Sequence, residues 1–127
     1  MKLGPRQRAW VEALRSGKYK QGRRVLRNNS DEFCCLGVAC DIYDSSGWIR
    51  RELDVFAYSL RASAPMEVKT SSLPELVRQY FGLETPDGDA VDHKHFALIH
   101  LNDNGSTFEE IADVLEKHPS AYFNEEV

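Results

Sequence analysis

Long apolar runs are missing from this sequence. It contains no stretch of about 18 apolar residues, and its start, Met-Lys-Leu-Gly-Pro-Arg, is not followed by an apolar segment. A membrane-spanning helix needs about 20 such residues, and a secretory leader needs an apolar core of about 7 to 15. We therefore expect no membrane association and a location in the cytoplasm of the cell that makes the protein.

Cysteine is scarce, and its distribution is narrow. Cys34, Cys35 and Cys40 all lie within seven residues, whereas a disulfide framework spreads an even number of cysteines along the chain. Adjacent cysteines on a helix point about 100° apart, and a structural zinc site usually uses pairs spaced as Cys-x-x-Cys. We expect reduced thiols that fill a core, with no bound metal or other cofactor.

A thiol nucleophile is the alternative reading of these cysteines. Cys34 and Cys35 fall in the first turn of a predicted helix, where the helix dipole lowers the pKa of a thiol. His93, His95 and His100 are candidate bases elsewhere in the chain. Nothing in the sequence places one of them beside a thiol, so catalysis is the less favoured hypothesis.

Charge is divided unequally along the chain. Residues 1–30 contain nine Lys or Arg and a single acid, Glu12, so their net charge is +8, whereas residues 31–127 carry −12 and the whole chain −4. This division suggests an anion-binding surface. It is equally compatible with basic and acidic halves that pair inside one molecule or between two copies, so a homo-oligomer is an open alternative.

A polar and basic connection follows the first predicted helix and reads Gly-Lys-Tyr-Lys-Gln-Gly-Arg-Arg from Gly17. It is not a P-loop, because a helix precedes it and no Lys-Ser or Lys-Thr follows its second glycine. Its cations can still bind phosphate, and its tyrosine can stack on a base. The competing interpretation is an exposed loop without a ligand. The candidate ligand-binding residues are Lys18, Tyr19, Lys20, Arg23 and Arg24.

The most apolar stretch of the chain runs from Phe33 to Tyr43. Ser30 and Asp31 precede it and a Ser-Gly pair follows it, which favours a buried central helix. Gly37 lies in its middle and costs a helix about 1 kcal/mol relative to alanine. The glycine therefore indicates that another backbone, or a ligand, lies close to this helix.

Four further helices are predicted from apolar periodicity and end signals. Two of them begin with the spacing of a capping box, at Ser72 to Glu75 and at Ser106 to Glu109. Tyr122 and Phe123, in the acidic tail, are expected to dock back on the core. The four predicted helices run from Pro5 to Ser16, from Ser72 to Gly82, from His95 to Leu101 and from Ser106 to Pro119.

Strand signals are weaker. Val25 to Arg27 reads as a short strand, residues 48–60 as one or two strands, and residues 61–72 as a loop. With the helices, these segments predict a helix-dominated α+β fold with a buried central helix and a small antiparallel sheet. At 127 residues, the chain is expected to form one domain over residues 1–127.

The segment from Thr107 to Leu115 has the pattern of the first helix of a helix-turn-helix. A recognition helix would have to follow it, but residues 120–127 are short, acidic and free of Lys and Arg. Nucleic-acid binding is therefore expected only through the basic N-terminal part of the chain.

Three segments, Trp10 to Gly22, Phe33 to Asp41 and Leu101 to Asp113, are similar to a family of small proteins encoded by bacteriophages and prophages. That family has no established activity, so the resemblance transfers no residue roles. It implies a phage accessory protein that acts in the cytoplasm of a host bacterium.

These observations favour a non-enzymatic binding protein that captures a host component. The component would be a phosphorylated small molecule, such as a signalling nucleotide, or a host protein, such as a defence protein. Two alternatives remain: a nucleic-acid-binding accessory protein and a cysteine-dependent enzyme.

Overall fold

Helix α2, Cys35–Tyr43, lies at the centre of the fold. The computed structural model describes residues 1–50, 55–60 and 68–127. Every residue of α2 from Cys35 to Cys40 is buried, which confirms the predicted central helix. Three helices pack against it: α1, Pro5–Arg15; α3, Glu75–Phe81; and α4, Leu98–Asp103.

The remaining helices close the other side of α1. Helix α5, Phe108–Lys117, packs along α1, and the short α6, Pro119–Tyr122, follows it. The indole of Trp10, fully buried, donates to the Cys35 carbonyl at 3.0 Å and contacts the ring of Phe123. The tail therefore docks on the core as expected. Among the described residues, none of the helices combines the length and apolar character needed to cross a bilayer.

Two small sheets complete the fold. Strand β1, Lys20–Gln21, pairs in parallel with β2, Glu32–Phe33. Strands β3, Trp48–Arg50, β4, Phe56–Ser59, and β5, Val68–Lys69, form an antiparallel sheet in the order β3-β4-β5. The α+β prediction is confirmed: the described residues form six helices and this small antiparallel sheet around one core.

The predicted strand from Val25 to Arg27 is wrong. Arg27 takes part in an isolated bridge with Phe33 and in no strand, and the ladder with β2 is formed by Lys20 and Gln21 instead. Leu26 is fully buried, so its apolar character reflects packing in the core. Part of the predicted loop, residues 61–67, and residues 51–54 of the predicted strand region lie outside the described residues.

Both predicted capping boxes need correction. At α5 the box is formed one residue later: the Thr107 hydroxyl accepts from the Glu110 amide at 3.1 Å, and the Glu110 carboxylate accepts from the Thr107 amide at 3.0 Å. At α3 the N-cap is Pro74 and no side chain caps the helix. There the Glu75 carboxylate binds the guanidinium of Arg78 instead.

Gly37 marks the place where a second backbone crosses α2. A Cβ built on Gly37 would lie 1.8 Å from the carbonyl oxygen of Leu26. The same oxygen accepts from the amide of Cys34, the N-cap of α2, at 3.2 Å. The helix begins two residues after Phe33, because Phe33 belongs to β2. The expectation of a close backbone is confirmed.

Candidate functional site

Tyr19 anchors the predicted basic loop to the core. Its hydroxyl donates to Asp41 Oδ2 at 2.6 Å, and its ring packs against Phe33 with 5.1 Å between centroids. Burial, together with the Asp41 carboxylate, raises the pKa of Tyr19 well above its usual range. The side chain is therefore used internally, and it is not displayed as an open platform on which a base could stack.

The two lysines of the loop lie on its exposed side. The ammonium of Lys20 is 3.5 Å from Glu32 Oε2, but 74% of the Lys20 side chain is exposed, so this ion pair is weak. Lys18 is exposed beside the end of α1 and lines a cleft with Glu12 and Ala13. Both cations remain accessible to a ligand: Lys18 precedes β1, and Lys20 is the first residue of β1.

Arg23 and Arg24 lie against the turn that joins α4 to α5. The Arg24 amide donates to Asp103 Oδ1 at 2.8 Å, and the guanidinium of Arg23 reaches to 3.8 Å from the position of a Cβ on Gly105. Both side chains are exposed, and neither forms a hydrogen bond or an ion pair with any residue in the described ranges. Two residues adjacent in sequence thus each present a guanidinium group to solvent.

The backbone of Arg24 is strained. Its φ is 71°, in the left-handed region that glycine and asparagine occupy more easily than arginine. Such outliers persist when surrounding contacts hold them, and they concentrate at functional positions. Here the bond to Asp103 holds the conformation.

Asn102 holds the basic loop in place through side-chain hydrogen bonds. It is fully buried, its Nδ2 donates to the Gly22 carbonyl at 2.8 Å, and its Oδ1 accepts from Gln21 Nε2 at 3.0 Å and from the Cys35 amide at 3.1 Å. One side chain therefore joins the basic loop, the start of α2 and the end of α4. The predicted helix ends at Leu101, so this role of Asn102, which lies within α4, was missed from the sequence.

Gln21 extends the same network to α5. Its Oε1 accepts from the Phe108 amide at 3.0 Å, and its Nε2 also donates to the Ser106 carbonyl at 2.8 Å. The N-terminus of α5 is consequently occupied by Gln21 and by the capping box of Thr107 and Glu110. The amides of Thr107, Phe108 and Glu110 are already bonded, so the positive charge offered here comes mainly from arginine side chains.

Other basic residues of the N-terminal part are already paired inside the molecule. Arg15 binds three acids on α5, namely Glu109, Asp113 at 2.8 Å and Glu116 at 3.0 Å, and the Asp113 hydrogen bond is the main cause of a raised Arg15 pKa. Arg27 pairs with Asp31 at 2.6 Å. The charge division seen in the sequence is thus partly resolved by contacts within one chain.

The three cysteines lie in the core. Cys34, Cys35 and Cys40 are at most 2% exposed, and burial raises the pKa of Cys34 to about 11 and those of the other two well above their usual value. A nucleophilic thiol needs a lowered pKa and access to solvent. Within the described ranges, no histidine is bonded to a thiol, and no group of three or more potential ligands is placed to hold a metal.

The sequence profile of the family DUF8296, described as a domain of unknown function, matches residues 5–119. The chain belongs to DUF8296. No curated protein and no solved structure matches it. The matched region contains the basic loop, α2 and the turn that Asn102 stabilises, so the DUF8296 match covers the whole candidate site.

The structure thus separates the predicted site residues into three groups. Arg23 and Arg24 are both exposed on a fixed backbone, Lys18 and Lys20 are exposed before and at the start of β1, and Tyr19 serves as an anchor. Asp103 is the residue that sequence reasoning missed beside this pair. The available signal was the Asn-Asp-Asn-Gly turn, whose side chains commonly bond to nearby backbone amides.

Proposed function

We propose that the protein is a non-enzymatic binding protein that captures a phosphorylated small molecule at Arg23 and Arg24. The observation that supports this most directly is the exposed guanidinium pair, which has no side-chain partner in the described residues although its backbone is held in place. Lys18 and Lys20 would add charge at the edge of the site.

Arginine is suited to this role because its planar guanidinium donates two parallel hydrogen bonds to a phosphate group. Two such groups on neighbouring residues can bind a diphosphate or two oxygens of one phosphate. The backbone that carries them is fixed by Asp103 on one side and by the Asn102 bond to Gly22 on the other. Binding therefore does not have to order the loop, which reduces the entropic cost of association.

Asp103, which is bonded to the Arg24 backbone, does not neutralise the arginine pair by direct contact. Asp103 accepts from the Arg24 amide and from Asn102 Nδ2, at 2.8 Å and 3.4 Å, and forms no ion pair with either guanidinium within the described ranges. An incoming phosphate would therefore meet unpaired cations. In the phage setting that the sequence resemblance implies, the ligand would be a nucleotide of the host cytoplasm.

The test compares two charge-matched variants. Nucleoside di- and triphosphates and inorganic pyrophosphate are titrated into the protein, and binding is measured by calorimetry and by NMR shifts. We expect Arg23→Gln with Arg24→Gln to weaken binding by roughly tenfold or more, which corresponds to the loss of one or two charge-assisted bonds. The control, Lys94→Gln with Lys117→Gln, removes the same charge from exposed positions elsewhere and should bind within about twofold of the native chain.

Equal binding by both variants would overturn the assignment of the arginine pair. Nucleic acid is the second possible ligand, and it is distinguished with a single-stranded oligonucleotide of about 20 bases. If the oligonucleotide bound more tightly than every nucleotide, with an affinity that falls steeply with salt, the captured ligand would be nucleic acid. Native mass spectrometry after incubation with bacterial lysate then identifies the bound mass. An added mass of protein size would mean that the captured component is a host protein and not a nucleotide.

A further inference from the structure

A concave site lies away from the basic loop, where the C-terminal end of α2 meets β4 and α3. It is a cleft of about 480 Å³, within the range of small-molecule sites. Its described lining combines polar and apolar groups, and it contains no Lys or Arg. The lining includes the side chains of Tyr43, Asp44, Ser46, Ser59, Leu60 and Leu76.

Ser59 is the unusual member of this lining. It is 3% exposed, it ends the central strand of the antiparallel sheet, and its hydroxyl is the one buried side-chain polar atom of the described residues without a hydrogen-bond partner. Buried hydroxyl groups are usually satisfied, so an exception calls for an explanation. The Ser59 side chain can rotate about χ1 towards the cleft without breaking a hydrogen bond, because its hydroxyl forms none within the described residues.

Asp44 supplies the charge of the cleft. Its Oδ1 accepts from the amide and the hydroxyl of Ser46, at 2.9 Å and 2.7 Å, and these bonds lower its pKa, so the carboxylate is ionised at neutral pH. Its Oδ2 has no hydrogen bond within the described ranges. One carboxylate oxygen is therefore held in place while the other is open to a donor.

The apolar part of the cleft is formed by Tyr43, Leu60 and Leu76. Leu76 is 39% exposed although it lies on α3 beside the buried Val77, whereas Leu60 is buried. The ring of Tyr43 is fixed by an edge-to-face contact with Tyr80, at 4.9 Å between centroids. These groups offer a preformed surface for an apolar or aromatic body.

We propose that this cleft binds a small organic cation, an amine carried on an apolar body, with the ammonium at Asp44, the body on Leu60, Leu76 and Tyr43, and a polar group at Ser59. An anion is disfavoured because the charge in the described lining is negative. A metal ion is disfavoured because a single carboxylate provides too few ligands. The site shares no residue with the arginine pair and does not depend on the function proposed for it.

The probe is tyramine, which carries an ammonium at one end and a hydroxyl at the other. Its matched control is 3-(4-hydroxyphenyl)propionate, which has similar size and the opposite charge. We expect tyramine to produce saturable NMR shifts at Ser46, Ser59 and Leu76, with a dissociation constant of about 1 mM or below, as for a fragment-sized ligand. The propionate should produce none at the same concentration.

Two variants test the assigned residues. Asp44→Asn keeps a good N-cap for the following turn and should weaken tyramine binding at least fivefold. Ser59→Ala should raise the melting temperature, since it removes an unpaired buried hydroxyl, and should weaken tyramine binding. The variant with Arg23→Gln and Arg24→Gln should bind tyramine normally.

Three outcomes would overturn the proposal. The first is the absence of saturable shifts with tyramine. The second is equal binding of tyramine and the propionate. The third is unchanged affinity in both Asp44→Asn and Ser59→Ala, which would show that an apolar surface alone retains the probe.

Discussion

Asn102 Oδ1 and Gln21 Nε2 share a hydrogen bond of 3.0 Å that joins the basic loop to α4. Asn102 also bonds to the Gly22 carbonyl and the Cys35 amide, so its removal leaves buried backbone groups without partners. We expect Asn102→Ala to lower the free energy of unfolding by about 3 kcal/mol, because each orphaned buried group costs about 1 to 3 kcal/mol. Urea denaturation measures the loss.

The control for this prediction is Asn124→Ala, at an exposed position of the tail. Within the described residues, Asn124 forms a hydrogen bond only through its backbone amide, to the Gly82 carbonyl at 2.8 Å, and alanine keeps that amide. Its effect should stay within about 0.5 kcal/mol. Similar losses in the two variants would show that the Asn102 network does not contribute specifically.

Gly37 gives the second prediction. Alanine there would place its Cβ 1.8 Å from the Leu26 carbonyl oxygen, and neither backbone can move without disturbing the start of α2. We expect Gly37→Ala to cost at least about 3 kcal/mol, the upper end of overpacking effects. Gly17→Ala is the matched control: its φ of 75° strains alanine, but nothing lies within 4 Å, so a loss of about 1 kcal/mol is expected. A smaller loss of stability in Gly37→Ala than in Gly17→Ala would contradict the close approach of the Leu26 backbone to Gly37.

Much of the fold follows from local patterns. The apolar run of α2 and the glycine that ends α3, Gly82, were both readable, because each depends on residues close in sequence. The β1 and β2 pair was not readable, since two residues of each strand carry no periodic signal and are paired by packing around Phe33.

The candidate site divides in the same way. The basic composition around Arg23 and Arg24 is visible in the sequence, and so is the absence of a P-loop. The partner of Tyr19 is Asp41, which lies 22 residues further along and gives no local sign of the contact. Ser59 resembles any serine in a strand until the surrounding structure shows that its hydroxyl is buried without a partner.

The third prediction concerns thiol reactivity. Burial raises the pKa of Cys34 to about 11, and Cys35 and Cys40 are completely buried. At pH 8, we expect alkylation of the native protein by iodoacetamide to be roughly a hundredfold slower than in denaturing urea, since thiolate is depleted and access is blocked. Mass spectrometry of the labelled peptides gives the rate at each cysteine. Rapid native labelling of any one of them would restore the hypothesis of a cysteine-dependent enzyme.

The fourth prediction concerns acid stability. The Asp92 carboxylate accepts from the amides of Lys94 and His95, and its other oxygen lies 2.6 Å from His95 Nδ1. These contacts lower the pKa of Asp92 to about 2, and the hydrogen bond from the Lys94 amide makes the largest contribution. In an unfolded chain the pKa is about 3.9, so the stabilisation is present above that value and disappears as the pH falls towards 2.

We therefore expect Asp92→Asn to lower the melting temperature near pH 6 and to flatten its decline between pH 5 and pH 2. Asparagine can still accept from the two amides, so the comparison isolates the charge. Glu125→Gln, in the exposed tail, is the matched control and should follow the native profile. If the melting temperature of Asp92→Asn instead paralleled that of the native protein over the whole pH range, the Asp92 contacts would make no charge-dependent contribution. The acid sensitivity would then have to arise elsewhere, first at Glu75, whose pKa is also lowered to about 2 by its contact with Arg78.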